Sequence, residues 1–276
     1  MSTRADAVAG TQDRVRQAVV LLGAVAAIVG AAWGAGAFGG TPIQDAANGA
    51  LAADATLLAP ASGAFGIWSV IYAGLAAFAI VQALPSRAAD PRMRALGWPV
   101  LASMVLNAAW IGVIQAGLLW VSVVVIAALV AVLVRIALIL VASRPTSWLD
   151  RAVADVTVGL YLGWATVATV ANITAAGVAS LGADADAGTG IAAGVLVVVA
   201  VITAVIARGS RGSFPLSVAS GLAMAWGLGW IAYGRAEGQP ESLLVMWAAG
   251  LAACVAFAAP FAVRDFSRPS PDDIAD

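Results

Sequence analysis

Long apolar runs, almost free of charge, recur along this 276-residue chain at residues 17–38, 64–84, 97–116, 118–143, 152–179, 188–207, 214–234 and 242–263. A helix of about 20 residues is roughly 30 Å long, which matches the hydrocarbon core of a bilayer. Within that core every backbone N–H and C=O must find a partner inside the protein, and helices supply one where open strands do not. The pattern therefore predicts an all-α, polytopic transmembrane helical bundle of about eight spans. Only the region around Ala116 and Gly117 separates the third and fourth runs. A tight helical hairpin is expected there, and its absence would reduce the count to seven.

Hydrophobic residues make up 62% of the chain and charged residues 11%, with a mean hydropathy of +0.96. A water-soluble domain cannot hide that proportion of apolar surface. The lipid bilayer is thus the first partner the sequence implies.

Charge placement gives an independent test of the spans, because arginines gather at cytoplasmic ends. With the N-terminus inside, Arg4, Arg14, Arg16, Arg87, Arg92, Arg94, Arg144, Arg151, Arg208, Arg211, Arg264 and Arg268 all fall on the cytoplasmic side. The external loops carry Asp45, Asp54, Asp184, Asp186, Glu237 and Glu241 with Arg235 as the one basic residue, and Arg135 sits inside the fourth run. Both termini are expected in the cytoplasm, and the plasma membrane is the expected location. The first run exceeds the 7 to 15 apolar residues usual for a secretory signal, so it is expected to remain as a span.

The same residues exclude several functions. A net charge of −1 leaves no basic surface to hold nucleic acid. The chain has no histidine, so zinc or haem iron held by histidine, and histidine-assisted nucleophiles, are ruled out. The single cysteine, Cys254, cannot form an intrachain disulfide and is expected to be a small buried hydrophobe. No span carries a pair of carboxylates, which leaves few groups to act as a base. No enzymatic activity and no resident cofactor are expected.

Three spans carry aromatic and amide groups at similar depth. On the second, Phe65, Trp68 and Tyr72 share one helical face; on the third, Asn107 and Trp110 do so. On the fifth, Tyr161, Trp164, Ala168 and Asn172 stay within roughly 80° of arc. Trp33, Trp98, Trp120 and Trp148 lie near span ends and fit an interfacial aromatic belt. Trp110 and Trp164 lie deeper, and the amides of Asn107 and Asn172 are costly to leave unpaired in hydrocarbon. These amides either bond between helices or face a ligand. An apolar pocket with a few polar groups suits a flat hydrophobic molecule.

These residues resemble the TspO/MBR translocator family, also called tryptophan-rich sensory proteins or peripheral benzodiazepine receptors. Pro60 followed by Phe65-Gly-Ile-Trp68 and Tyr72 is similar to the family's proline, F-G-x-x-W and L-Y signature. Leu106-Asn107-Ala-Ala-Trp110 is similar to its L-N-x-x-W. Tyr161, Trp164, Ala168 and Asn172 follow its P-Y-x-x-W-x-x-x-A-x-x-x-N, with Leu160 in place of the proline. The resemblance implies a five-helix bundle over residues 17–180, preceded by a cytoplasmic segment 1–16. Three further spans over 187–264 and a disordered cytoplasmic tail 265–276 would follow it.

It also implies a pocket, closed by the first external loop, for a tetrapyrrole, sterol or related ligand. Phe65, Trp68, Tyr72, Asn107, Trp110, Tyr161, Trp164, Ala168 and Asn172 would line or support it. The family's aromatic first loop is here the plain stretch from Asn48 to Asp54. A secondary transporter of a small hydrophobic solute is the alternative, for which repeats and paired intramembrane charges would be expected.

Four further features invite a role. The stripe Trp226, Trp230 and Tyr233 could enlarge a cavity or pack. Arg135 could snorkel or pair with Asp155. The close glycine pairs Gly30/Gly34 and Gly190/Gly194 could pack helices within the chain or form a homodimer seam.

Overall fold

The computed structural model describes residues 9–264. Residues 1–8 of the expected N-terminal segment and the expected tail 265–276 lie outside the described residues. Eight helices are long and apolar enough to cross a membrane: α1 (Thr11–Gly34), α2 (Ser62–Ala83), α3 (Pro91–Gln115), α4 (Leu119–Ala142), α5 (Trp148–Leu181), α6 (Thr189–Gly209), α7 (Phe214–Glu237) and α8 (Leu243–Ala262). The chain is an all-helical, multi-span membrane protein.

Local chemistry sets the ends. The carboxylate of Asp13 accepts the Gly10 amide at 3.0 Å and starts α1 six residues before the apolar run begins. Asp90 caps α3 by accepting the amides of Arg92 and Met93, and Pro91 opens the helix. Between α3 and α4, Gly117 takes φ +74°. That left-handed conformation is inexpensive for glycine alone, so the chain reverses there within a few residues and the spans number eight among the described residues.

Helix α3 packs on α1 and α4, α4 packs on α5, and α2 packs against α1 and α5. Helix α5 also packs on α7, and α8 lies against both α7 and α6. Helix α5 is the most buried span, at 61% of its most apolar window, because it is shared by both groups of helices. Two apolar cores result. One is centred on α1–α5; the other combines α6–α8 with Val167 of α5 and Leu57 and Leu58 of the loop between α1 and α2.

The close glycine seam lies elsewhere than the pairs singled out above. A methyl group on Gly159 or Gly163 would collide with the Leu216 or Ser220 carbonyl of α7, whereas Gly30, Gly190 and Gly194 face open space. Gly34 packs under Ile111 of α3. Small residues at the α5–α7 crossing thus bring two backbones together, which maximises packing where lipid offers no hydrophobic drive.

The arginine-rich end is tied by polar contacts. Arg94 makes a forked pair with Asp13 at 2.6 and 2.7 Å. Arg16 donates to the carbonyls of Ala88 and Met93, both at 2.8 Å. Asp155 lies in a π-helical turn, Arg151–Val156, that opens α5. Its partners are Arg92 and the Ser213 hydroxyl. The expected Arg135–Asp155 pairing is therefore corrected: Arg135 faces outward from α4, where its long stem can carry the charge toward the membrane surface. Cys254 is corrected as well, since it lies on the exposed face of α8.

Candidate functional site

The aromatic residues of α2, α3 and α5 converge. The ring of Trp68 stacks on Tyr72 (centroids 5.2 Å apart, planes at 18°) and meets Tyr161 and Trp164 edge-on at 5.8 and 6.2 Å. Phe65 meets Trp164 edge-on at 6.0 Å. Such offset and edge-to-face contacts match the positive ring edge to the negative ring face. The i, i+3, i+7 spacing on α2 turns its three rings toward the α5 stripe, because α2 packs directly on α5.

Both amides bond between helices, and they differ in what is left over. Asn172 is a bond between helices: its Oδ1 accepts the Trp110 indole N–H at 2.7 Å, and its Nδ2 donates to Ser122 of α4 at 2.9 Å. Asn107 donates to the Tyr72 hydroxyl at 2.8 Å, which leaves its Oδ1 buried without a hydrogen-bond partner among the described residues. Tyr161 donates to the Ser103 carbonyl at 3.1 Å and is fully buried.

Two small cavities flank the Trp164 ring. One, of about 30 Å³, is lined by Phe65, Trp110, Trp164, Val167, Ala168 and residues of the first loop including Leu51 and Thr56. The other, of about 20 Å³, lies among Phe65, Trp68, Asn107, Trp110, Trp164 and Ala168. Each has room for a water or two, against the 300–1,000 Å³ of a typical ligand site.

Toward the acidic end a third space of about 470 Å³ opens between the first loop and the ends of α4 and α5, lined by Asn48, Asp54, Thr56, Leu119 and Val178 among others. It shares Ala50, Thr56 and Ala175 with the larger slot, so the two adjoin. On its wall Ala47 and Asn48 sit at φ +51° and +57°. For alanine this left-handed turn costs roughly 1–2 kcal/mol, held in place by the surrounding contacts.

Three buried polar atoms among the lining residues lack hydrogen-bond partners among the described residues: the Trp164 indole N–H, the Asn107 Oδ1 and the Thr56 hydroxyl. An unpaired buried polar atom is costly unless something else meets it. Together they offer one donor, one acceptor and one hydroxyl that can serve as either.

Six of the sequence-predicted residues, Phe65, Trp68, Asn107, Trp110, Trp164 and Ala168, line the slots. Tyr72, Tyr161 and Asn172 bond from behind. Residues not singled out by sequence are Ser122, Thr56, Leu51 and Val167, whose small or ordinary side chains give no signal alone. The Trp226, Trp230 and Tyr233 stripe packs and lines none of these three spaces; the Trp226 indole N–H donates to the Ala64 carbonyl at 2.9 Å.

No curated protein and no solved structure matches the chain. The sequence model of the family described as TSPO-like protein matches residues 17–262, a stretch that runs through all eight spans. The pocket motifs on α2, α3 and α5 fall inside the match, and so do the last three helices; this chain belongs to the TSPO-like protein family.

Proposed function

We propose that this protein is a membrane receptor or sensor that binds a flat hydrophobic ligand, a tetrapyrrole or a sterol, between α2, α3 and α5. The observation that carries the reading is the aromatic enclosure around Trp164, in which buried donor and acceptor atoms stand without protein partners. Apolar walls hold the ligand's body, and the few polar atoms orient it. Because the slots are too small for such a ligand, binding requires the loop and ring positions to shift, with the larger outer space as the entry.

The arginine-rich end faces the cytoplasm in this proposal, which puts the pocket in the outer half of the plasma membrane with both termini inside. No catalysis forms part of the reading. Self-association would use the open glycines of α6, Gly190 and Gly194.

The test is titration of the purified protein with protoporphyrin, haem and a sterol while tryptophan fluorescence is followed, repeated with Trp164→Phe and Asn107→Ala. Saturable quenching, weakened by both substitutions, is expected. If no ligand saturates, the transporter reading replaces this one and is examined by solute flux into proteoliposomes.

A further inference from the structure

Arg235 is the one basic residue in the acidic outer regions, and it is 1% exposed. Its guanidinium makes none of the ion pairs among the described residues. Instead it donates to three carbonyls: Ala53 at 2.6 Å, Thr56 at 3.0 Å and Gln239 at 3.1 Å. Two of these belong to the first loop, the segment that separates the slot from the outer space. Thr56 lines both cavities while its carbonyl is held by Arg235.

The rest of α7 fastens the end of that loop and the first turn of α2 that follows it. The Ala61 amide donates to the Trp230 carbonyl at 3.2 Å, the Trp226 indole reaches the Ala64 carbonyl, and the Trp230 ring covers Gly63 so closely that a methyl group there would collide with it. Leu57 and Leu58 are buried in one cluster with Leu228, Ile231 and Val245. The cover of the pocket is thus built into α7 and α8, although the pocket's own rings come from α2, α3 and α5.

A planar guanidinium can serve several carbonyls at once, which an ammonium does less well. The Nε of Arg235 is buried without a hydrogen-bond partner among the described residues, and Asp54, whose charge favours the guanidinium, makes no ion pair with it, so much of the desolvation cost goes unreturned. Such a contact closes the loop firmly and still leaves it releasable.

We propose that Arg235 is the positioning residue that clasps the first loop over the pocket, so that the last three helices set the rate of ligand entry. The clasp deepens the ligand-pocket reading, and its rate consequence rests on it. Opening breaks the bonds to Ala53 and Thr56 and joins the outer space to the slot.

The test uses the full chain in nanodiscs. Amide hydrogen exchange of residues 50–61 is measured for the unaltered protein, Arg235→Gln, Arg235→Lys and Trp226→Phe, alongside stopped-flow quenching by protoporphyrin IX. Arg235→Gln is expected to raise loop exchange by at least about tenfold, since charge-assisted bonds are lost, with α5 protection unchanged and protoporphyrin association faster. Arg235→Lys should recover part of the protection, and Trp226→Phe should act in the same direction more weakly.

Unchanged loop exchange overturns the clasp, as does faster exchange with unaltered association. If Arg235→Gln loses α5 protection and so fails to fold, Trp226→Phe decides by the same criteria. Failure of protoporphyrin, haem and a sterol to quench the unaltered protein sinks the pocket reading instead, and loop exchange alone then decides the clasp.

Discussion

The indole N–H of Trp110 on α3 donates to the Asn172 Oδ1 on α5 at 2.7 Å, and the other end of the same amide reaches Ser122 on α4. One carboxamide therefore joins three helices behind the pocket wall. Both residues are buried, Asn172 at 1% and Trp110 at 5% exposed, so the bond has no competition from bulk water.

Asn172→Leu should strand the Trp110 donor and remove the link to Ser122. A loss of about 1–2 kcal/mol is expected, toward the lower part of the usual range because donors in a bilayer can find other partners. Unfolding in mixed micelles measures it, and Trp110→Phe in the same background should cost little more, since the two act through one bond.

Trp164→Phe should behave differently. The Trp164 indole N–H has no hydrogen-bond partner among the described residues, so its removal strands nothing and should change stability by less than about 1 kcal/mol. Ligand affinity should fall all the same, because the donor is the group a ligand would meet. A stability loss as large as that of Asn172→Leu would place the indole in the fold's support.

At the α5–α7 crossing, Gly163→Val should be severe, because the side chain would meet the Ser220 carbonyl and the Ala223 methyl. Overpacking of a close seam costs about 1–3 kcal/mol or more. Gly190→Ala and Gly194→Ala, which face open space, should be close to neutral. Expression and thermal unfolding of the three variants compare the seams directly.

The Arg92–Asp155 pair, with side chains 4% and 0% exposed, should show strong coupling. Asp155→Leu or Arg92→Met alone leaves a buried charge without its partner and should cost about 3–5 kcal/mol. The double replacement Arg92→Met with Asp155→Leu should recover much of that loss. A double-mutant cycle of unfolding free energies reads the coupling, and simple additivity would contradict it.

Much of this molecule is legible along the chain because the bilayer imposes a one-dimensional rule. Long apolar runs must be helices there, so the eight spans follow from the pattern of charge. The aromatic and amide stripes were legible for a related reason: Phe65, Trp68 and Tyr72, or Tyr161, Trp164 and Asn172, share a face through helical geometry alone.

What the chain alone left open depends on which faces meet. Asp155 pairs with Arg92 and not Arg135 because α3, the π-helical turn of α5 and the start of α7 converge at that end. Gly159 and Gly163 form the close seam, while equally spaced glycines on α6 look outward. Arg235 stood out in sequence only as an exception to the charge rule. Its hold on Ala53 and Thr56 spans about 180 residues, a separation no local pattern encodes. Hydrophobic length is a property of a segment and can be read from it. Partner choice between helices is a property of packing, where shape and unpaired polar groups decide among many surfaces of similar composition.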